Sequence, residues 1–231
     1  MTDKRLNIFL RAVIALLSAV APLFAAAEET LPADSVAIEK AAKAAGFFAS
    51  APASIFPSID TSTRLDMIDY FNAGSSTPSK NAFGGDARIL ESTPEKITVR
   101  TSPVSTYSLS LLPVHNDSDT LLLLVRTLDT PAPHSTAWIY TSDWKKRVAT
   151  LESPQLADWI LPSARKQKTD LENAVPYVLS GIVYDPSART LTFTNSLEQY
   201  IPDDRKEFVA SCVAPQIVYV WNGHKFVRRK N

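Results

Sequence analysis

Cysteine is nearly absent from this 231-residue chain: Cys212 stands alone, which excludes an intramolecular disulfide and leaves the fold to its core. It lies in the apolar run Phe208-Val-Ala-Ser-Cys-Val-Ala214, read as a strand with a buried, inert thiol. Glycine is scarce too, six in all. The adjacent pair Gly84-Gly85 therefore marks backbone that needs positive φ. Neither a Gly-x-Gly-x-x-Gly pattern nor a following Lys-Ser/Thr surrounds it, which excludes the common phosphate-cradling loops. Histidine occurs three times, at His115, His134 and His224, each beside an expected turn. With no His-Glu-x-x-His helix and no Cys/His spacing, the chain offers no metal motif, and no cofactor is expected. It also lacks the Gly-x-Ser-x-Gly elbow and a Cys–His pair of nucleophilic hydrolases. An excess of one charge is missing as well, since 24 basic residues balance 24 acidic ones. A chain without a basic excess is not expected to bind nucleic acid.

What is present begins with a leader. Lys4, Arg5 and Arg11 open it, an uncharged stretch follows from Ala12 to Phe24, and Ala25-Ala-Ala27 precede Glu28. This is the three-part pattern of a secretory signal, with cleavage expected after Ala27. A membrane span takes about 20 apolar residues. This run has 13 and carries Pro22 near its end, so no membrane span is expected after cleavage. No Cys follows the small-residue site, which argues against a lipid anchor. Removing residues 1–27 leaves 204 residues with 21 basic and 23 acidic side chains, a net charge of −2. The expected location is exported, either periplasmic or extracellular. A short basic tail, Lys225 with Arg228, Arg229 and Lys230, reads as a solubilising chain end.

The expected organisation is residues 1–27 signal peptide, 28–62 N-terminal helix and linker, 63–151 a first α+β half and 152–231 a second. Ile38, Ala41, Ala42, Ala45 and Phe48 fall at helical spacing, and Pro52 and Pro57 then mark an irregular connection. Thr63-Arg-Leu-Asp66 has the spacing of a capping box, with Leu65, Ile68 and Phe71 on one side of the helix and Gly74 as its stop. From Arg88 strands take over. Lys96 to Thr101 alternates, and Leu121 to Val125 is a continuous apolar run suited to a central strand covered on both faces. Ser153-Pro154 starts a helix whose apolar side is Leu156, Trp159 and Ile160, and a polar stretch at Arg165 to Asp170 follows. Further strands are expected at Tyr177–Tyr184, Thr190–Thr194, Glu207–Val213 and Gln216–Trp221, the last turning back through Asn222-Gly223.

Helices followed by runs of antiparallel strands thus occur twice. Ile97-Thr-Val-Arg-Thr-Ser102 is similar to Leu191-Thr-Phe-Thr-Asn-Ser196, and Ile139-Tyr-Thr-Ser-Asp143 to Val218-Tyr-Val-Trp-Asn222. Internal duplication and chance likeness between amphipathic strands both remain open. Either way the fold class is α+β, antiparallel sheets with helices on one face, in two similar helix-plus-four-strand halves.

Between Phe56 and Trp144 several short motifs accumulate: Arg64-Leu-Asp-Met-Ile-Asp-Tyr70, Asn81 with Gly84-Gly85, Ser108-Leu-Ser-Leu-Leu-Pro113, Thr127 with Pro131 and Ser135, and Tyr140 with Trp144. On these the chain resembles an uncharacterised family of exported bacterial proteins, domain of unknown function 3256. The resemblance implies an exported location and carries over no catalytic residue. A looser, architectural similarity is to the β-lactamase-inhibitor-like fold, whose paired units form a concave protein-binding face.

Candidate site residues are few. Asp66 and Asp69 are three apart on one helix, close enough to share a cation or a proton. The plainer account makes Asp66 a helix cap and lets Asp69 face water or pair with Arg64. Asp86, His134 and Trp144 complete the set, and Asn116-Asp-Ser-Asp119 has oxygen ligands but no calcium-loop spacing. The four tryptophans could stack on a sugar, although three lie in apolar runs and core packing is the favoured account. The leading expectation is a non-enzymatic interaction module for an envelope protein or glycan, of undetermined oligomeric state. The rival is a hydrolase whose carboxylate/His site is assembled from loops.

Overall fold

The computed structural model describes residues 43–114 and 120–229, all within one compact unit, Ile38–Asn231. The leader, the first part of the expected N-terminal helix, and His115 with Asn116-Asp-Ser-Asp119 lie outside the described residues.

Two helices, α1 (Lys43–Ser50) and α2 (Thr61–Asn72), precede seven strands. These are β1 (Ser79–Lys80), β2 (Asp86–Ser92), β3 (Lys96–Ser102), β4 (Ser105–Pro113), β5 (Thr120–Leu128), β6 (His134–Thr141) and β7 (Arg147–Leu151). They pair antiparallel in chain order, each with its sequence neighbours. A single helical turn, α3 (Leu156–Trp159), then leads through a 3-10 turn (Pro162–Gln167) into α4 (Lys168–Ala174). The second sheet holds β8 (Ser180–Asp185), β9 (Thr190–Asn195), β10 (Gln216–Trp221) and β11 (Phe226–Arg228), with α5 (Asp203–Cys212) between β9 and β10. Among the described residues no helix is long and apolar enough to cross a membrane.

Side-chain alternation explains the large sheet. On β3, Ile97 and Val99 are buried while Lys96, Thr98 and Arg100 are half exposed, the period-2 pattern of a strand with one covered face. On β5 both faces are covered. Leu122 and Leu124 join Phe48, Phe56 and Met67 in a core beneath α1 and α2. Leu123 and Val125 join Trp159, Ile182 and Phe193 in a second core beneath the four-stranded sheet. Burying a leucine contributes about 1.5–3 kcal/mol, so β5 anchors both layers. Polar bolts fix the layers together: the Ile182 N–H donates to Ser135 Oγ at 3.0 Å, and Ser196 Oγ donates to the Pro133 carbonyl at 2.7 Å.

The class is α+β with antiparallel sheets, but the sheets have seven and four strands and the halves are unequal. β3 and β6 are separated by two strands, whereas β9 and β10, which carry the similar segments, are neighbours. The likeness is that of amphipathic strands in different settings. Helices do not cover one face throughout either, because one face of the large sheet is covered by the small sheet and its helices.

Two local expectations need correction, and one stretch left without an element gains one. Glu207–Val213 is not a strand but the end of α5, with Val209 and Cys212 buried three positions apart and Asp203 and Asp204 placed at the positive helix start. The polar stretch Arg165 to Asp170 is helical, with Ala164 and Leu171 turned inward. α2 starts at Asp60, whose Oδ1 accepts from the Thr63 N–H at 2.8 Å. Asp66 caps nothing. Its helix buries Arg64 and Met67, leaving Leu65 49% and Phe71 37% exposed. Taking Arg64 inward turns the expected apolar face partly to solvent.

Candidate functional site

Chemistry by acid and base requires ionisable groups that converge, so the placement of the sequence candidates comes first. Asp66 and Asp69 are exposed on α2. Arg64 pairs with neither: its Nη2 donates to the carbonyls of Ala49 and Ala51 at 3.2 and 2.6 Å and to Thr61 Oγ1 at 3.0 Å. Asp86 forms an ion pair with Lys80 on the adjoining edge strand. His134, half buried at the start of β6, receives a long 3.5 Å contact at Nδ1 from the Ser180 N–H. Trp144 is core: it is 7% exposed, and its Nε1 donates to the Phe47 carbonyl at 3.2 Å. No hydrogen bond or ion pair joins any two of these five side chains, and none of them lines the four principal grooves. A loop-assembled carboxylate/His site needs a convergence that these five side chains do not make. Among them no three His, Cys, Asp or Glu side chains gather to hold a metal.

The displaced titrations have structural causes. Hydrogen bonds from Thr141 Oγ1 and the Lys145 N–H stabilise the Asp143 carboxylate and lower its pKa from 3.8 to about 2. Asp60 is lowered by the Thr63 N–H that it caps. Burial raises the Tyr184 phenol to about 12. Turns, caps and packing account for each of them.

Concavity directs attention elsewhere. The largest of the four grooves, about 790 Å³, lies in the second half. One wall is the segment Ala157–Pro162 with Arg165 and Lys168, and the other is Gln216–Val218 of β10 with Arg228 and Arg229. Ile160, Leu161 and Val218, each half buried, give it an apolar base over the core residues Trp159 and Ile217. The walls are bolted together by main chain. The Leu161 N–H donates to the Cys212 carbonyl at 2.9 Å, and the Ala214 N–H to the Trp159 carbonyl at 2.8 Å. Arg228 crosses to the opposite wall, its Nη2 donating to the Asp158 carbonyl at 2.7 Å and its Nη1 lying 3.6 Å from Asp158 Oδ1. Asp158 Oδ2 meanwhile accepts from the Gln155 N–H at 2.9 Å, closing a capping box on α3. None of these groove residues was singled out as a site candidate from sequence. The basic tail was visible there, but nothing in linear spacing ties it to Arg165.

The comparisons concern fold and kinship. A sequence profile of the family described as "Protein of unknown function (DUF3256)" matches residues 37–226, and the chain belongs to that family. Among curated proteins nothing matches. A solved structure, "Structure of a domain of an uncharacterized protein from Porphyromonas gingivalis W83", is similar with a TM-score of 0.67 and 22% identity, covering 80% of this chain and 98% of that one. At that identity the likeness concerns the fold alone.

Proposed function

From membership of the DUF3256 family as premise, we propose that this chain is a non-enzymatic binding module of an exported compartment. It takes an envelope partner or glycan in the groove between Ala157–Lys168 and β10–β11. The observation that carries this reading is a contrast. The candidate ionisable side chains are dispersed among turns, surface positions and surface pairs, while the largest of the four grooves presents polar groups with an apolar base. Such a surface orients a ligand through a few polar contacts and gains affinity from apolar burial. The three-part leader ending at Ala27 supports export.

The test uses chain recovered from the extracytoplasmic fraction, expected to begin at Glu28. Immobilised, it should retain a defined protein or glycan from envelope extract. Ala157→Trp, which fills the groove without altering charge, should abolish that retention. Turnover of a hydrolase substrate by the same preparation with nothing retained would overturn the reading, and so would an intact leader on protein found in cytosol.

A further inference from the structure

The ligand class follows from charge. Four cationic side chains line the groove, Arg165, Lys168, Arg228 and Arg229, against a single carboxylate, Asp158. The chain as a whole carries as many acidic as basic residues, so this local excess is not a by-product of a basic protein. The carboxylate is also committed: Oδ2 serves the α3 cap and Oδ1 faces Arg228. Arg228 is therefore a wall-to-wall strut. Lys168 lies 3.6 Å from Glu172 in a solvent-exposed i,i+4 pair, a weak arrangement that is easily exchanged. Among the described residues the side chains of Arg165 and Arg229 have neither a hydrogen bond nor an ion pair.

We propose that the groove binds the phosphate group of an envelope ligand, carried on a sugar or on a lipid headgroup. Arg165 and Arg229 reach the phosphate from opposite walls, Lys168 stands alongside, and the apolar base beneath receives the ring or chain that carries it. This rests on the groove being the ligand site. Guanidinium groups present paired N–H donors whose fork matches phosphate oxygens, and each such charge-assisted bond is stronger than a neutral one. Two unpartnered guanidiniums also match the charge of a phosphate monoester dianion. Size separates this ligand from an acidic polypeptide. Small-ligand sites occupy about 300–1,000 Å³, and this open groove of about 790 Å³ falls within that range. A polypeptide would call for a row of cations along an open edge. Arg228 and Arg229 then form one side of a binding site, and the other side is contributed by Arg165 of the 3-10 turn after α3 and Lys168 of α4.

The experiment titrates the mature protein with inorganic pyrophosphate, following amide shifts of residues 157–168 and 216–218 by NMR. Saturable binding is expected, weakening as salt screens these exposed charges. Arg165→Glu with Arg229→Glu should weaken it at least tenfold, and Lys225→Glu, outside the groove, should leave it unchanged. Since neither arginine side chain has a partner among the described residues, the double variant should melt close to the parent. Arg165→Gln with Arg229→Gln provides a milder version if it does not. Sedimentation with vesicles of phosphatidylglycerol in phosphatidylcholine, competed by pyrophosphate, assigns the phosphate to a lipid headgroup. Pyrophosphate binding without sedimentation assigns it to a soluble ester. Absence of binding in both arms, equal binding by the reversed variant, or tighter binding of polyglutamate at the same residues overturns the proposal. Should a captured partner survive the double reversal yet be lost in Ala157→Trp, the anion assignment fails while the binding reading stands.

Discussion

Arg64 is fully buried and, among the described residues, makes no ion pair, although the nearby Asp60 carboxylate favours its charge. Its guanidinium meets the carbonyls of Ala49 and Ala51, where α1 ends. Those are among the acceptors a helix leaves unpaired, at the end where its dipole favours a cation. The rings of Phe48 and Phe56 lie 6.0 and 5.7 Å from the guanidinium carbon, close enough for the ring quadrupole to offset part of the desolvation. Arg64→Ala removes these donors, strands two carbonyls and opens a cavity. It should cost about 3–5 kcal/mol in urea unfolding. Arg64→Met, which keeps the volume, should cost less, and equal midpoints for Arg64→Ala and the parent would refute the capping role. In the sequence this arginine reads as an ordinary surface partner for Asp69, because polarity predicts exposure whenever the acceptors come from another element.

At the scale of elements, a helix end and a loop show how much could be read locally. Gly74 adopts φ +66° after α2, and the Ser75 N–H returns to the Tyr70 carbonyl at 2.9 Å, the hydrogen bond of a left-handed cap. A Cβ at Gly74 would meet nothing within 4 Å. Gly74→Ala should therefore cost about 1 kcal/mol through the backbone alone, measured as a shift in urea midpoint with an unchanged m-value. That stop was legible from one residue. The Gly84-Gly85 loop was half legible. Gly84 has positive φ, whereas a Cβ on Gly85 would come within 3.0 Å of Asn81 Nδ2. The Asn81 side chain holds the loop together, donating to the Thr101 carbonyl at 2.8 Å and accepting from the Phe83 and Gly85 N–H groups. α5 was misread because a short apolar run satisfies a buried strand and a helix alike, and only its neighbours decide. Trp144 shows the opposite limit: φ +61° at a large residue is sustained by a buried indole bonded to α1.

Across the whole molecule, β5 joins two cores, and this predicts one cooperative unfolding transition. Far-ultraviolet circular dichroism should coincide with fluorescence from Trp144 in one core and Trp159 and Trp221 in the other. Ser135→Ala leaves the Ile182 N–H unpaired between the layers and should lower stability by about 1–3 kcal/mol. Separate transitions would show that the layers fold independently. The antiparallel α+β class, the doubly covered strand at Leu121–Val125 and the Asn222-Gly223 hairpin were all determined by local pattern, because side-chain period and turn chemistry act over a few residues. What only the tertiary structure decided is the pairing of distant parts: seven strands against four, a buried arginine closing another helix, and a basic chain end facing Arg165 across a groove. The physical reason is that packing and electrostatics depend on separation in space, and residues that meet across two layers leave no periodic trace along the chain.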